Sequence, residues 1–281
     1  DISGIQKFIY TIPSKGALKS LRGRSLYLDI LLEHIVDEIL EACHVSRSCL
    51  LYTWGGHFYL LLPNTTHTQA VLQKADSLIN DWFLQHYGTK LYIALASEPC
   101  SADDFSVRGG GAGKVFQKVS QALGQKKLCR YDEQQLTALF DAQSRYNKDT
   151  DGSRECAICH TASPAADLQP YGEDTGDAAE EACASCNALF RLGKSSLTAS
   201  MFVISPSAGR EGVPLPGLAQ PYYLQAIREK ELAAMDKPKR IYVKNEITLG
   251  QAVSTHLWMG DYITCNEQGH AAEFTELAQP S

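Results

Sequence analysis

The sequence predicts an α+β chain in three consecutive parts: a ferredoxin-like βαββαβ unit over 1–130, a helical linker with paired cysteines over 131–200, and a β-rich segment over 201–281. Three observations predict it. Apolar spacing in the first part changes in the order strand, helix, hairpin, helix, strand, which is the split βαβ arrangement. Gly55 and Gly56 fall between two apolar runs, the signal of a tight hairpin. Two C-x-x-C pairs, Cys156 with Cys159 and Cys183 with Cys186, set the middle part apart from both neighbours.

Asp1 to Ile5 reads as a strand already under way, which predicts that the chain is cut from a longer protein. A basic stretch follows, with Lys15, Lys19, Arg22 and Arg24 and no acidic residue between Ile2 and Leu28. Ser25 is the expected N-cap of a helix running to about Cys43. Leu28, Leu31, Leu32, Ile35 and Ile39 recur at three- and four-residue spacing and should face the core. Ser48 to Leu62 forms the hairpin. Asn64 or Thr65 then caps a second helix through about Tyr87, with Val71, Leu72, Ala75, Leu78, Ile79 and Trp82 as its buried stripe. Leu91 to Ala96 is the fourth strand. Gly109 to Gly124 leads into a further helix with Lys114, Lys118, Lys126 and Lys127 on its exposed side.

The middle part should hold a helix near Glu133 to Arg145 and a short one around Asn187 to Leu192. An acidic loop, Glu173 to Glu181, lies between the cysteine pairs. Strands are expected at Met201 to Ile204, Lys239 to Val243 and Leu257 to Cys265. Gly209 to Pro221 reads as a surface loop from its glycines and prolines.

The chain is long enough, at 281 residues and 44% apolar, to bury a sizeable core. It has no apolar run of the roughly 18 residues a membrane span needs, and no signal-peptide pattern at its start. Nine cysteines in such a chain argue for thiols or metal in a cytoplasmic setting rather than for disulfides. A net charge of −6 argues against a wholly basic nucleic-acid binder and leaves room for local basic patches.

The two C-x-x-C pairs, separated by 23 residues, predict one tetrahedral zinc ion held by Cys156, Cys159, Cys183 and Cys186. Four thiolates fill the shell, so the site is structural rather than catalytic. A redox C-x-x-C is the alternative, and His160 is an alternative ligand beside Cys159. Cys43, Cys49, Cys100, Cys129 and Cys265 read as ordinary thiols.

Nucleotide cyclases and polymerases use a ferredoxin-like unit as a palm. Their metal-binding carboxylates sit on the first strand and at the Gly-Gly hairpin, where two divalent ions clamp a triphosphate. Here Asp1 stands on the first strand, but Ser3 occupies the place of a second carboxylate and His57-Phe58 follows the glycines. Neither His57 nor Phe58 suits magnesium. The expectation is a nucleotide-shaped groove without its own two-metal centre; an ordinary tight hairpin is the plainer reading. Lys19, Arg22 and Arg24, with Lys15, are candidate contacts to triphosphate or RNA phosphates, against the alternative of a solvated face. Arg108 to Lys114 superficially suggests a P-loop but fails, because Arg108 replaces the first glycine and Val115 the magnesium-binding hydroxyl. Asp103-Asp104 lacks a glycine hairpin and reads as a solvated loop.

Several stretches together resemble one family. Asp1 to Tyr10 (DISGIQKFIY), Gly16 to Tyr27 (GALKSLRGRSLY) and Gly55 to Asn64 (GGHFYLLLPN) are similar to the first palm of the large subunit of type III-A (Csm) CRISPR effector complexes. The paired cysteines followed by Leu192-Gly193 resemble its zinc-ribbon linker domain. Leu257 to Tyr262 and Phe274 to Ala278 resemble the segment before its second palm. The resemblance spans nearly the whole chain in the family's order. It implies a parent with an HD nuclease domain that cuts single-stranded DNA. It also implies two palms, the second with a Gly-Gly-Asp-Asp motif that joins ATP into cyclic oligoadenylate when target RNA binds.

Neither the HD domain nor a Gly-Gly-Asp-Asp sequence occurs here, so the resemblance implies that this chain alone makes no cyclic oligoadenylate. Its palm would form half of the ATP site. Ser3, Gly4, Ile5 and Gln6 would lie near base or ribose, and Lys15, Gly16, Ala17 and Leu18 at the groove rim. Implied cofactors and partners are ATP, Mg2+, guide and target RNA, single-stranded DNA and other Csm subunits, with no membrane. A competing reading is a non-catalytic RNA- or protein-binding scaffold with a structural zinc. A stand-alone cyclase is disfavoured by the missing hairpin carboxylates.

Overall fold

The computed structural model describes residues 1–13, 16–106, 108, 111–144, 153–171, 180–207, 209, 212–235, 238–246 and 255–259. In chain order the elements begin with β1 (Ile2–Ser3), α1 (Ile5–Ile9), α2 (Ala17–Ala42), β2 (Leu50–Trp54), β3 (His57–Leu60), α3 (Thr66–Tyr87) and β4 (Tyr92–Ile93). Helices α4 (Ala112–Leu128) and α5 (Glu133–Phe140) follow, then β5 (Ser153–Glu155), β6 (Ala162–Pro164), β7 (Gln169–Pro170) and β8 (Glu181–Ala182). The last set is α6 (Ala184–Ser195), β9 (Met201–Ser205), β10 (Val213–Leu215), β11 (Tyr222–Ile227), α7 (Glu229–Leu232), β12 (Arg240–Lys244) and β13 (Thr255–Leu257). The fold is mixed α+β, as expected.

These elements form two compact units that interleave along the chain. One gathers Asp1–Ile5, Leu31–Asp149 and Pro216–Leu218; the other gathers Gln6–Ile30, Thr150–Leu215 and Ala219–Ser281.

In the first unit β1 pairs antiparallel with β4, Ile2 opposite Ile93. β2 and β3 form the expected hairpin, Trp54 opposite His57. Its two turn residues have φ of 62° at Gly55 and 87° at Gly56, the left-handed pair a type I′ turn requires. The Ile2 amide donates to the Gly56 carbonyl at 2.8 Å, so the turn is anchored to β1. The α2 stripe holds: Leu31, Leu32, Ile35 and Ile39 in this unit, and Leu28 in the other, are all buried. Thr65 caps α3 by accepting from the Thr68 amide. The buried face of α3 is rotated from the expected one, with Phe83 buried and Leu78 exposed. Asn80 explains the rotation. Its amide donates to the Ile93 carbonyl at 3.0 Å and accepts from the Ile93 amide at 2.9 Å, so a polar residue must face β4. Pro216–Leu218 is held to this unit by His34, hydrogen-bonded to the Pro216 carbonyl at 2.6 Å, and by Glu38, which accepts from the Leu218 amide.

In the second unit five strands form one sheet in the order β10-β11-β9-β12-β13. All pairs are antiparallel except β12 with β13. The expected loop from Gly209 to Pro221 is corrected here. Val213 and Leu215 are buried in strand β10, which lies at the sheet edge, where Pro214 removes no needed donor. α2 also starts eight residues before the expected Ser25 cap, at Ala17. Its first turns pack on α6 through two glycines. A Cβ on Gly23 would stand 1.9 Å from the Leu189 carbonyl oxygen, and one on Gly193 would stand 1.9 Å from that of Lys19. The α5 helix ends at Phe140, short of the expected Arg145, which lies outside the described residues. α6 extends beyond both expected ends. The strand expected over Leu257 to Cys265 is corrected: β13 ends at Leu257, Trp258 and Met259 lie outside any strand, and 260–265 lie outside the described residues.

Candidate metal centre and nucleotide-site residues

The four cysteines meet in the second unit. Cys156 and Cys159 flank the tight turn after β5, Cys183 precedes α6, and Cys186 lies in its first turn. Their four Sγ atoms all lie within 4.8 Å of one another. The Cys159 and Cys183 sulfurs are 3.8 Å apart, too far for a disulfide. Thiolates about 2.3 Å from a tetrahedral zinc lie about 3.8 Å from each other, so the spacing fits the ion. Tyr171 and Phe190, with Ile158 and Leu168, bury the cluster. His160 is excluded from the ligand set: its ring is largely exposed and faces Glu155 at 3.8 Å.

Four thiols in so small a volume cannot titrate alike. Cys186 is pushed up by Cys156, Cys159 and Cys183, and Cys183 by Cys156 and Cys159. Cys159 is held down by hydrogen bonds from Cys156, Cys183 and Cys186. Cys156 is raised by Cys159 but lowered further by Cys183 and Cys186, ending at about 5. A divalent cation removes this conflict by letting all four ionise.

The candidate phosphate contacts separate. All three described ones lie on α2 rather than in a loop before it. The Lys19 ammonium stands 5.6 Å from the Phe190 ring centroid, and Arg22 donates to the Gly193 carbonyl at 3.4 Å. Both are half-buried. Arg24 is corrected: it is only 3% exposed, with one guanidinium nitrogen donating to the Phe8 carbonyl and another to Cys186 Sγ. A side chain so enclosed does not meet a solvent phosphate.

The candidate nucleotide residues fall in both units. Ser3, Gly4 and Ile5 belong to the first, Gln6, Gly16, Ala17 and Leu18 to the second; Lys15 lies outside the described residues. Gly4, at φ 91°, approaches the Lys90 carbonyl so closely that a Cβ would be 2.0 Å away. Gln6 is exposed, Ala17 buried, and Leu18 half-buried. Gly16 lies against the Phe190 ring.

One arrangement has no local signal in the sequence. The Asp1 carboxylate, 5% exposed, accepts from His57 Nδ1 at 2.7 Å and from Lys127 Nζ at 2.8 Å. Lys126 likewise pairs with Asp76 at 2.7 Å. Both lysines were expected on the open face of α4. The first-strand carboxylate that a palm metal would need is thus engaged by two nitrogen donors.

A family model described as Csm1 subunit domain B matches residues 1–143. The chain belongs to the Csm1 family. A relative from Mycobacterium tuberculosis, named CRISPR system single-strand-specific deoxyribonuclease Cas10/Csm1 (subtype III-A), is 36% identical over 96% of this chain and 33% of its own length. One of the same name from Enterococcus italicus is 35% identical over 93% of this chain and 32% of its own. The chain therefore spans about a third of the length of these curated relatives. Among solved structures, a Csm1–Csm4 cassette in complex with one ATP aligns at TM-score 0.69 and 23% identity, covering 99% of this chain and 32% of that one. A cassette in complex with cA4 aligns at 0.66 and 22% identity, covering 99% and 31%. These structures share the fold.

Proposed function

We propose that this chain is the first palm and zinc-bearing linker of a type III-A large subunit, and that it supplies half of an ATP site used to make cyclic oligoadenylate. The observation that carries this reading is the match of residues 1–143 to Csm1 domain B over the residues that run strand, helix, hairpin, helix, strand. The Ile2–Gly56 hydrogen bond supports a ferredoxin-like arrangement of β1 beside the hairpin. In this reading the palm spans 1–130, the linker 131–200, and the β-rich segment 201–281 leads toward a second palm.

The Asp1 carboxylate, already paired with His57 and Lys127, supports a palm that binds nucleotide without ligating magnesium. Mg2+ would be held by the second palm. Ser3, Gly4, Ile5, Gln6, Lys15, Gly16, Ala17 and Leu18 are the proposed nucleotide contacts, with Lys19 and Arg22 toward phosphate. Cys156, Cys159, Cys183 and Cys186 would hold zinc, which supplies a closed structural cross-link and no open coordination position. Guide and target RNA, single-stranded DNA and further Csm subunits are the partners this reading assigns to the longer protein. Relatives named as single-strand-specific deoxyribonucleases and neighbours solved with Csm4 support that assignment.

The test is calorimetric titration of ATP with magnesium into the two-palm protein. Binding is expected, and Lys19→Ala with Arg22→Ala should weaken it and flatten its salt dependence. No binding by the unmodified protein would leave the scaffold reading standing instead.

A further inference from the structure

We infer that Arg24 is a positioning residue that couples metal occupancy of the four-cysteine centre to the order of α1. This inference rests on the zinc reading above and extends it to a residue that reading leaves aside.

Arg24 lies in the second turn of α2 and is 3% exposed. Its guanidinium makes two directed contacts to opposite neighbours. Nη1 donates to the Phe8 carbonyl at 3.0 Å, and Nη2 donates to Cys186 Sγ at 3.3 Å. The same group lies 5.0 Å from the Phe8 ring centroid. A planar fork is suited to hold two acceptors at once, which an ammonium point charge is not.

The charge is the more telling feature. Arginine stays protonated in proteins, and a buried cation is costly unless an anion faces it. Among the described residues Arg24 has no carboxylate partner; its Nε is buried without a hydrogen bond. The cysteine cluster is the group it meets on that side. A bound ion would fix the Cys186 sulfur in place, and four thiolates around a divalent ion would carry a net charge of −2 beside the guanidinium. Arg24 would thus hold the metallated centre with one arm and α1 with the other.

Loss of the ion frees the Cys186 side chain, so the acceptor that orients Nη2 is no longer fixed. The fork then loses one of its two anchors, and the contact to Phe8 should weaken. α1 also carries Gln6, one of the proposed nucleotide contacts, so the latch joins the metal centre to a helix of the proposed nucleotide-binding region.

The experiment is amide hydrogen exchange on the intact protein, zinc-loaded and chelator-stripped, with Arg24→Gln alongside. In the unmodified protein, stripping should speed exchange in the α1 peptide about tenfold, the scale of one lost charge-assisted hydrogen bond. Zinc-loaded Arg24→Gln should show that faster α1 exchange while α6 amides stay protected. Stripping the variant should then add little at α1. Arg24→Lys, a second variant that keeps the charge and loses the fork, should retain the metal and still show fast α1 exchange. Protection of α1 in zinc-loaded Arg24→Gln equal to that of the unmodified protein would overturn the inference. So would equal loosening of α1 by stripping in both. Metal analysis of the same samples separates the two readings: no bound metal defeats the zinc assignment, whereas bound metal with an indifferent α1 defeats only the coupling.

Discussion

Replacing Gly193 with alanine should destabilise the protein, although the same change in an open helix stabilises. Alanine is a better helix former than glycine by about 1 kcal/mol. At Gly193 the added methyl would stand 1.9 Å from the Lys19 carbonyl oxygen and 2.7 Å from the Gly23 nitrogen. Real Cβ atoms keep at least 3.0 Å from such atoms, so α2 and α6 must separate by about 1.1 Å. Both obstacles are backbone and cannot rotate aside. Overpacking of this kind costs about 1–3 kcal/mol or more, which exceeds the propensity gain. A net loss of about 2 kcal/mol would lower the midpoint of thermal unfolding by roughly 4–8 °C. Gly124, in α4 with nothing within 4 Å of where its added methyl would sit, is the control: Gly124→Ala should raise the midpoint by roughly 2–4 °C. Far-UV circular dichroism during heating reads both. A Gly193→Ala midpoint at or above that of the unmodified protein would show that the helices do not cross at these glycines.

The other predictions concern the metal and the polar core. Plasma mass spectrometry should find about one zinc per chain. Cys156→Ser or Cys186→Ser should lose it, while Cys129→Ser, at an exposed thiol, should keep it. Asn80→Ala leaves the Ile93 amide and carbonyl without their side-chain partners and should cost about 2–4 kcal/mol in urea unfolding. Asn80→Asp should cost no less, because a carboxylate oxygen would then face the Ile93 carbonyl; an unchanged urea midpoint in either variant would sink this account of the α3 rotation.

Much of the fold was legible because apolar spacing dominates where one face is buried. Leu28 to Ile39 announce α2, and Gly55-Gly56 announce the hairpin. The failures have physical causes. The first turns of α2 carry Lys19, Arg22, Gly23 and Arg24, which read as a basic loop. In the structure Gly23 supplies close helix approach and Arg24 is buried against sulfur, uses that hydropathy counts as polar or flexible. Pro214 disguised β10, because proline signals a break unless the strand is known to lie at an edge. Phe83 and Trp82 are equally apolar, and only the Asn80 contact with β4 decides which faces inward. The meeting of Cys156, Cys159, Cys183 and Cys186 was plain from spacing alone, since two C-x-x-C pairs constrain geometry locally. Asp1, His57 and Lys127 come from three distant segments, and no local pattern signals their meeting.

The interleaving of the two units bears on how the chain is made. Gln6–Ile30 groups with residues beyond Thr150, including the second cysteine pair. That stretch leaves the ribosome roughly 150 residues before Cys183, or about 8–30 s earlier at ordinary synthesis rates. Through that interval Leu26 and Tyr27, both buried in the finished fold, lack much of their eventual surroundings, and Arg24 has no thiolate to face. In the zinc reading, completion of the early helix waits on the late cysteines, and metal supply during synthesis would bear on the maturing of Gln6–Ile30 as well as of the cysteine-bearing region.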